Sequence, residues 1–413
     1  MNLDIIINSK SLLSQEIKPR NFYYNQLESH LKTNQIVVIQ WQRRVGKSSI
    51  ALGYLKEKKI NLDRIFFVNK ELDIDNSINN AKALNELFEE YVKTYGEPEY
   101  IVIDEIQDIE DRERFVRAMF TYKKYNIIIT WSNSHLLSGE LTTYLTGRYL
   151  AFDVYPLGYD EFLLFTDQPN TTEAFSLYSR YGWMPEMLKM DNPVSKVQYL
   201  ESVKDTIFIK DIVKRFGIKD VSYLEKVLAY ISDIIGSEIS LRNMHNASKQ
   251  FGRWDEASLS KLSNYVQMLQ IPYMIHKVWR YDIHGKKILE HNEKYYFNDI
   301  GLRNSIKVKE DDDKAKLLEN IVFLHLKRCG YKVYVGNYNG KEIDFVAQKW
   351  QEIVYIQVAW IITSEKTAIR EFDNLLNIKD GFEKMVVHMD SQFMWKYHWI
   401  KQMQVLDFLT EFA

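Results

Sequence analysis

Two short clusters in this chain carry residue types suited to phosphate chemistry. The first is Trp41-Gln42-Arg43-Arg44-Val45-Gly46-Lys47-Ser48-Ser49, which follows the apolar run Ile36-Val37-Val38-Ile39 and leads into a helical pattern from Ser49 through Leu55. A strand–loop–helix of this kind wraps phosphates with backbone N–H groups at a helix N-terminus. Lys47 then reaches the β/γ oxygens and the Ser48 hydroxyl ligates Mg²⁺. The second cluster is Asp104-Glu105, which ends the apolar run Tyr100-Ile101-Val102-Ile103 about sixty residues further on. Two adjacent acids at the carboxyl end of a parallel strand divide the work: Asp104 holds the Mg²⁺ shell and Glu105, as catalytic base, polarises the attacking water. Together the clusters point to hydrolysis of a nucleoside triphosphate, ATP with Mg²⁺, and to release of ADP.

Further candidates follow in the same region. The run Tyr125-Asn126-Ile127-Ile128-Ile129-Thr130 reads as a strand ending at Trp131-Ser132-Asn133-Ser134, where Ser132 or Asn133 is placed to sense a γ-phosphate; the alternative is an N-cap for the helix that follows. In Leu145-Thr146-Gly147-Arg148 the arginine is a candidate source of positive charge for a phosphoryl-transfer transition state, or else a surface ion pair.

The elements that must position these residues are legible in the spacing. From Arg20 to Lys32 the pattern NFYYNQLESHL suits an amphipathic helix before the first strand. Arg64 to Asn69 reads as a second strand and Ala81–Tyr95 as a helix. In the middle of the chain, helical spacing spans Lys204 to Lys214, Ser222 to Gly236, Leu241 to Phe251 and Glu256 to Leu269. A β-rich segment from Tyr273 to Phe297 then holds a hairpin at His284-Gly285. Three helices followed by a hairpin is the order of a winged helix, which makes Lys249, Arg253 and Lys261 candidate DNA contacts; a packing module has the same order.

Composition sets the bounds. The 413 residues leave room for two or three cores, and a net charge of −2 gives no chain-wide basic field, so any nucleic-acid contact has to be a local patch. The one cysteine, Cys329, excludes an internal disulfide framework and a Cys-based zinc site. The N-terminal apolar run is too short for a signal peptide and no stretch reaches the length of a membrane span, so a cytoplasmic protein is expected.

The ordered set QRRVGKS, YIVIDEIQ, SNSHLLSGELTTYLTGRY and DVYPLGYDEFL resembles the prokaryotic AAA-type P-loop ATPases that carry a C-terminal domain of unknown function. The resemblance continues through YGWMPEML, FIKDIVKRFGIKD, KYYFNDIGLRN, LLENIVFLHL, KEIDFVAQ and YIQVA, and so covers nearly the whole chain. It implies an α/β parallel-sheet ATPase core over residues 1–165, a helical winged-helix-like region over 166–300 and an α/β PD-(D/E)xK nuclease-like domain over 301–413. Protein partners and self-association stay open. In such nucleases a helical Glu, a strand Asp and an (E/Q)-x-K pair surround a divalent metal. Glu319, Asp344 and Gln357 match three of these roles, with Glu319 and Asp344 as metal ligands. Ala359 stands where the lysine belongs and Lys366 is the nearest replacement, so a metal site with little or no cleavage is expected, against an alternative of a nucleotide-gated DNA nuclease.

Nine tryptophans sit in loops, strand ends and polar stretches. In the family that the chain resembles, Trp41, Trp131 and Trp183 are glycine positions, and the phosphate loop wants G-x-x-x-x-G-K-[ST]. Either the nucleotide site is lost, leaving a non-hydrolysing interaction module, or these letters come from UGA codons that the native host reads as glycine. Repeated loss to one residue type, with Lys47, Ser48, Asp104 and Glu105 all spared, favours recoding and a glycine at position 41.

Overall fold

The computed structural model describes residues 3–133, 145–250, 258–307, 313–361, 372–390 and 399–412. The chain forms two compact units, Met1–Val154 and Tyr155–Ala413.

The first unit is an α/β layer structure on a five-stranded sheet. Its strands are β1 Ile36–Gln40, β2 Ile65–Asn69, β3 Tyr100–Asp104, β4 Asn126–Trp131 and β5 Tyr149–Asp153, in the order β2-β3-β4-β1-β5. Every pairing is parallel. Four of the five strands are almost wholly buried runs of Ile, Val and Phe, as parallel strands covered on both faces must be. The covering helices include Asn21–Leu31, Lys47–Glu57, Ala81–Tyr95 and Arg112–Tyr122. The Asn80 side chain caps Ala81–Tyr95 by accepting from the Ala83 N–H, and Gly96, at φ 85°, ends it. Register brings Gln40 level with Trp131, and Asn69 level with Asp104, so the carboxyl ends of β1, β3 and β4 share one edge of the sheet. Ligands of open parallel sheets collect at that edge.

The second unit packs helices on a mixed seven-stranded sheet, ordered β12-β11-β10-β9-β8-β6-β7. These strands are β6 Ile275–Asp282, β7 Lys287–Phe297, β8 Lys332–Tyr338, β9 Lys341–Lys349, β10 Glu352–Ala359, β11 Glu383–His388 and β12 Lys401–Gln404. The hairpin read at His284-Gly285 forms between β6 and β7, and β6 also pairs with β8 through Arg280, Tyr281 and Asp282. The hairpin is therefore continuous with the strands after residue 300 in a single sheet. Glu319 lies in the helix Lys314–Arg328 and Asp344 on β9. Lys366, Arg253, Trp254 and Trp395 lie outside the described residues, as does the stretch from 134 to 144.

Candidate functional site

At the carboxyl edge of the first sheet, β1 turns into the helix Lys47–Glu57 through Trp41 to Gly46. Three residues of this turn have positive φ: Trp41 at 148°, Arg44 at 68° and Gly46 at 91°. No side chain caps the helix, whose first N–H groups stay directed at the loop. Arg20, buried beneath it, donates to the Val45 carbonyl at 3.0 Å and lies over the Tyr23 ring.

Several of the candidate side chains lie together at this edge. Ser48 Oγ lies 2.7 Å from each carboxylate oxygen of Asp104, although β4 separates β1 from β3. Lys47 is buried, donating to the carbonyls of Trp41 at 3.1 Å and Gln42 at 2.9 Å, with Glu105 Oε1 3.8 Å away. Arg43 bridges two acids, 3.5 Å from Glu105 Oε2 and 3.3 Å from Glu71 Oε1. Glu105 also accepts from the Ser132 hydroxyl and the Gln107 amide. Asn133 is buried and accepts from the Trp131 indole N–H at 3.0 Å.

Burial and the charge of neighbouring Glu105 push the Asp104 carboxyl up to about 6, against hydrogen bonds from Thr130 and Ser48. Glu105 goes the other way: burial would raise it, but Lys47, Arg43 and the Ser132 and Gln107 bonds hold it below the usual carboxylate range. The two adjacent acids are thus pushed in opposite directions.

Thr130 was missed in the sequence. Its hydroxyl donates to Asp104 Oδ1 at 2.5 Å and accepts the Glu105 N–H at 2.9 Å, which locks both acids to the end of β4. A lone polar residue closing Ile127-Ile128-Ile129 was the available signal. Arg148 is not brought to this site. Its carbonyl accepts from the N–H of Ile36, at the opposite end of β1 from the loop, and its side chain is exposed. The length of a strand lies between it and Lys47 in this chain.

The donor set fits a nucleotide phosphate with Mg²⁺, except at position 41. There a bulky residue holds a φ that glycine adopts freely and L-residues rarely do, and its indole is buried. Trp350 adopts φ 57° at the tip of the β9–β10 hairpin with its ring almost fully exposed. Trp131 and Trp183 do not have positive φ. Trp131 is seated in the core under Arg112, whereas the buried Trp183 indole N–H finds no acceptor among the described residues, although its backbone N–H donates to Asp299 Oδ2 at 3.2 Å.

In the second unit, Glu319 and Asp344 are brought together, but around the ammonium of Lys294, which lies 2.8 Å from Glu319 Oε1 and 4.0 Å from Asp344 Oδ1. Gln357 accepts from the Asp344 N–H at 3.4 Å, and Ala359 is buried on β10. Lys261 is paired with Asp220 at 2.7 Å.

A model described as an AAA domain matches residues 33–163, and one described as a domain of unknown function, DUF8612, matches residues 172–313. An uncharacterized protein of Haemophilus influenzae is 36% identical over 386 residues, covering 92% of this chain and 94% of its own. An uncharacterized protein of Methanocaldococcus jannaschii is 27% identical over 393 residues, covering 87% and 86%. The Aeropyrum pernix Orc1 protein, solved in complex with DNA, aligns at a TM-score of 0.35 and 10% identity over 71% of this chain and 93% of its own, too low to carry an argument. The chain belongs to the family of the Haemophilus influenzae protein, and its N-terminal region is an AAA domain of the P-loop ATPase class. Among the described residues no helix is long and apolar enough to cross a membrane.

Proposed function

We propose that the chain binds ATP with Mg²⁺ and hydrolyses it as a conformational switch. The observation that carries this reading is the pair of 2.7 Å contacts between Ser48 Oγ and Asp104, the loop hydroxyl and the strand acid that would share one Mg²⁺ shell. Bound Mg²⁺ would supply charge neutralisation on the phosphates. Backbone N–H groups from Gln42 to Ser49 and the ammonium of Lys47 hold the phosphates, once Lys47 leaves the two carbonyls it now serves. Glu105, held by the Ser132 hydroxyl and the Gln107 amide, is the acceptor for a proton of the attacking water in this reading, and Asn133 and Ser132 line the end of the neighbouring strand.

Glycine at position 41 in the native host belongs to this reading, supported by the φ of 148° there. The C-terminal region is read as nuclease-like in descent with little or no phosphodiester cleavage, since Ala359 stands at the lysine position; DNA nicking in Mg²⁺ or Mn²⁺ that Asp344→Ala abolishes would overturn that. DNA contact through the helix bearing Lys261 has weaker support, because Lys261 is engaged with Asp220. Binding of ATP with Mg²⁺, measured by calorimetry on the chain carrying Trp41→Gly, tests the switch: absence of binding defeats it.

A further inference from the structure

The carboxylates of the second unit gather around a cation that the chain itself supplies. Lys294, from β7, is 1% exposed. Its Nζ lies 2.8 Å from Glu319 Oε1 and 2.7 Å from Glu342 Oε1, with Asp344 Oδ1 at 4.0 Å. A helix, through Glu319, and β9, through Glu342 and Asp344, therefore converge on one ammonium. Two further donors reach the acids: the Tyr296 hydroxyl donates to Glu319 Oε1 at 2.5 Å and the Val358 N–H to Asp344 Oδ2 at 2.7 Å. A second ion pair borders the cluster, Glu238 with Arg280 at 3.0 Å.

A divalent metal in a carboxylate site sits about 2.0–2.6 Å from its oxygens, and an ammonium about 2.7–2.9 Å. The two cannot share one seat. Hydrogen-bond distances from one Nζ to both Glu319 and Glu342 put that nitrogen between the carboxylates, where a shared metal would lie. Lys294 faces three carboxylates, Glu319, Glu342 and Asp344. Burial, then the charge of Glu319, drives the Asp344 carboxyl well above its usual range. Burial and a hydrogen bond to Glu342 raise Glu238 to about 7. Lys294 is pushed up by its acidic neighbours against the cost of burial, and stays charged. Among the described residues no group of three or more His, Cys, Asp or Glu side chains is arranged to hold a metal ion.

We propose that Lys294 is the resident cation of this cluster: its ammonium holds Glu319, Glu342 and Asp344 together where a nuclease-like site would hold a divalent metal. The site is metal-free in the intact protein, and removing Lys294 converts it into a divalent-cation site. The residues present do not fit the metal that the nuclease-like resemblance implies, and the missing lysine charge at Ala359 is supplied from β7 instead.

The test is a Mn²⁺ titration of the full chain without nucleotide, followed by electron paramagnetic resonance of the free ion. All samples carry Asp104→Asn, so that the first unit contributes no metal ligand pair. The chain with Lys294 intact should show no Mn²⁺ binding that depends on Asp344. The Lys294→Met chain should bind one Mn²⁺ at least about tenfold more tightly, equivalent to about 1.4 kcal/mol, and Lys294→Met with Asp344→Asn should lose it again. If Lys294→Met fails to fold alone, recovery of the parent melting temperature in Mn²⁺ supports the proposal and no recovery overturns it. Binding of Mn²⁺ by the chain with Lys294 intact, lost on Asp344→Asn, overturns it outright. None of these outcomes depends on the ATPase reading.

Discussion

The Ser48 hydroxyl lies 2.7 Å from both carboxylate oxygens of Asp104, across a sheet in which their strands are not neighbours. In the proposed reading a hydroxyl and a carboxylate at that distance supply two of the oxygen ligands of one Mg²⁺ shell. In the Trp41→Gly chain, Ser48→Ala or Asp104→Asn should therefore abolish the part of ATP affinity that depends on Mg²⁺, a loss of roughly 10- to 100-fold, while leaving metal-free ATP binding nearly unchanged. Calorimetry with and without Mg²⁺ reads this directly. An undiminished Mg²⁺ increment would remove the pair from the metal site.

Position 41 gives the next expectation. A non-glycine residue held at such a φ carries a strain of about 1–3 kcal/mol before any contact with a ligand. Trp41→Gly together with Trp131→Gly should raise ATP affinity by about tenfold or more, and mass spectrometry of the native peptide 36–43 should show glycine. Tryptophan in that peptide, with tight ATP binding by the sequence as written, would refute the recoding reading.

Arg148 is anchored at the far end of β1 through its carbonyl. Arg148→Ala should leave the turnover of the isolated chain within about twofold, whereas an arginine acting on the transferred phosphoryl group is worth about 10³-fold or more. A loss on that scale in a monomeric preparation would return Arg148 to the mechanism.

Two histidines of the second unit, His325 and His276, bear on the acid limit of its stability. Burial holds His325 down to about 3 and His276 down to about 4, each with Nε2 donating, to the Phe412 carbonyl and to Asn298. The unfolded chain takes up these protons near pH 6.5, so between there and pH 4 the unfolded state binds more protons and stability falls as the pH falls. Asp299, raised to about 6 by burial, works in the opposite sense. The comparison must therefore be between variants: His325→Gln should flatten the dependence of unfolding free energy on pH from 6.5 to 4.5 by about one proton, about 1.4 kcal/mol per pH unit. An unchanged slope would show that His325 is not held neutral.

How far the sequence foretold this molecule follows the range of the interactions. Gly46-Lys47-Ser48 and Asp104-Glu105 were legible because the phosphate loop is contiguous in the chain and the acids close a buried strand. The parallel sheet followed from the unbroken apolar runs of β1 to β4. Thr130 was invisible as a site residue because its role depends on β3 and β4 being adjacent, which spacing does not state. The position of Arg148 was not legible because a residue just before β5 lies at the amino end of a parallel sheet, a fact of strand direction that its neighbours in sequence do not carry. The same holds for Lys294, which meets Glu319 and Glu342 from a hairpin that the helical pattern before it suggested was part of a separate module.

The central claim is hydrolysis at Glu105, and steady-state release of phosphate from ATP with Mg²⁺ by the Trp41→Gly chain, with and without Glu105→Gln, tests it most directly. The account predicts measurable turnover that Glu105→Gln lowers by about 10²-fold or more while ATP affinity is kept. Turnover that is equal in the two chains, or absent from both despite tight binding, would contradict it.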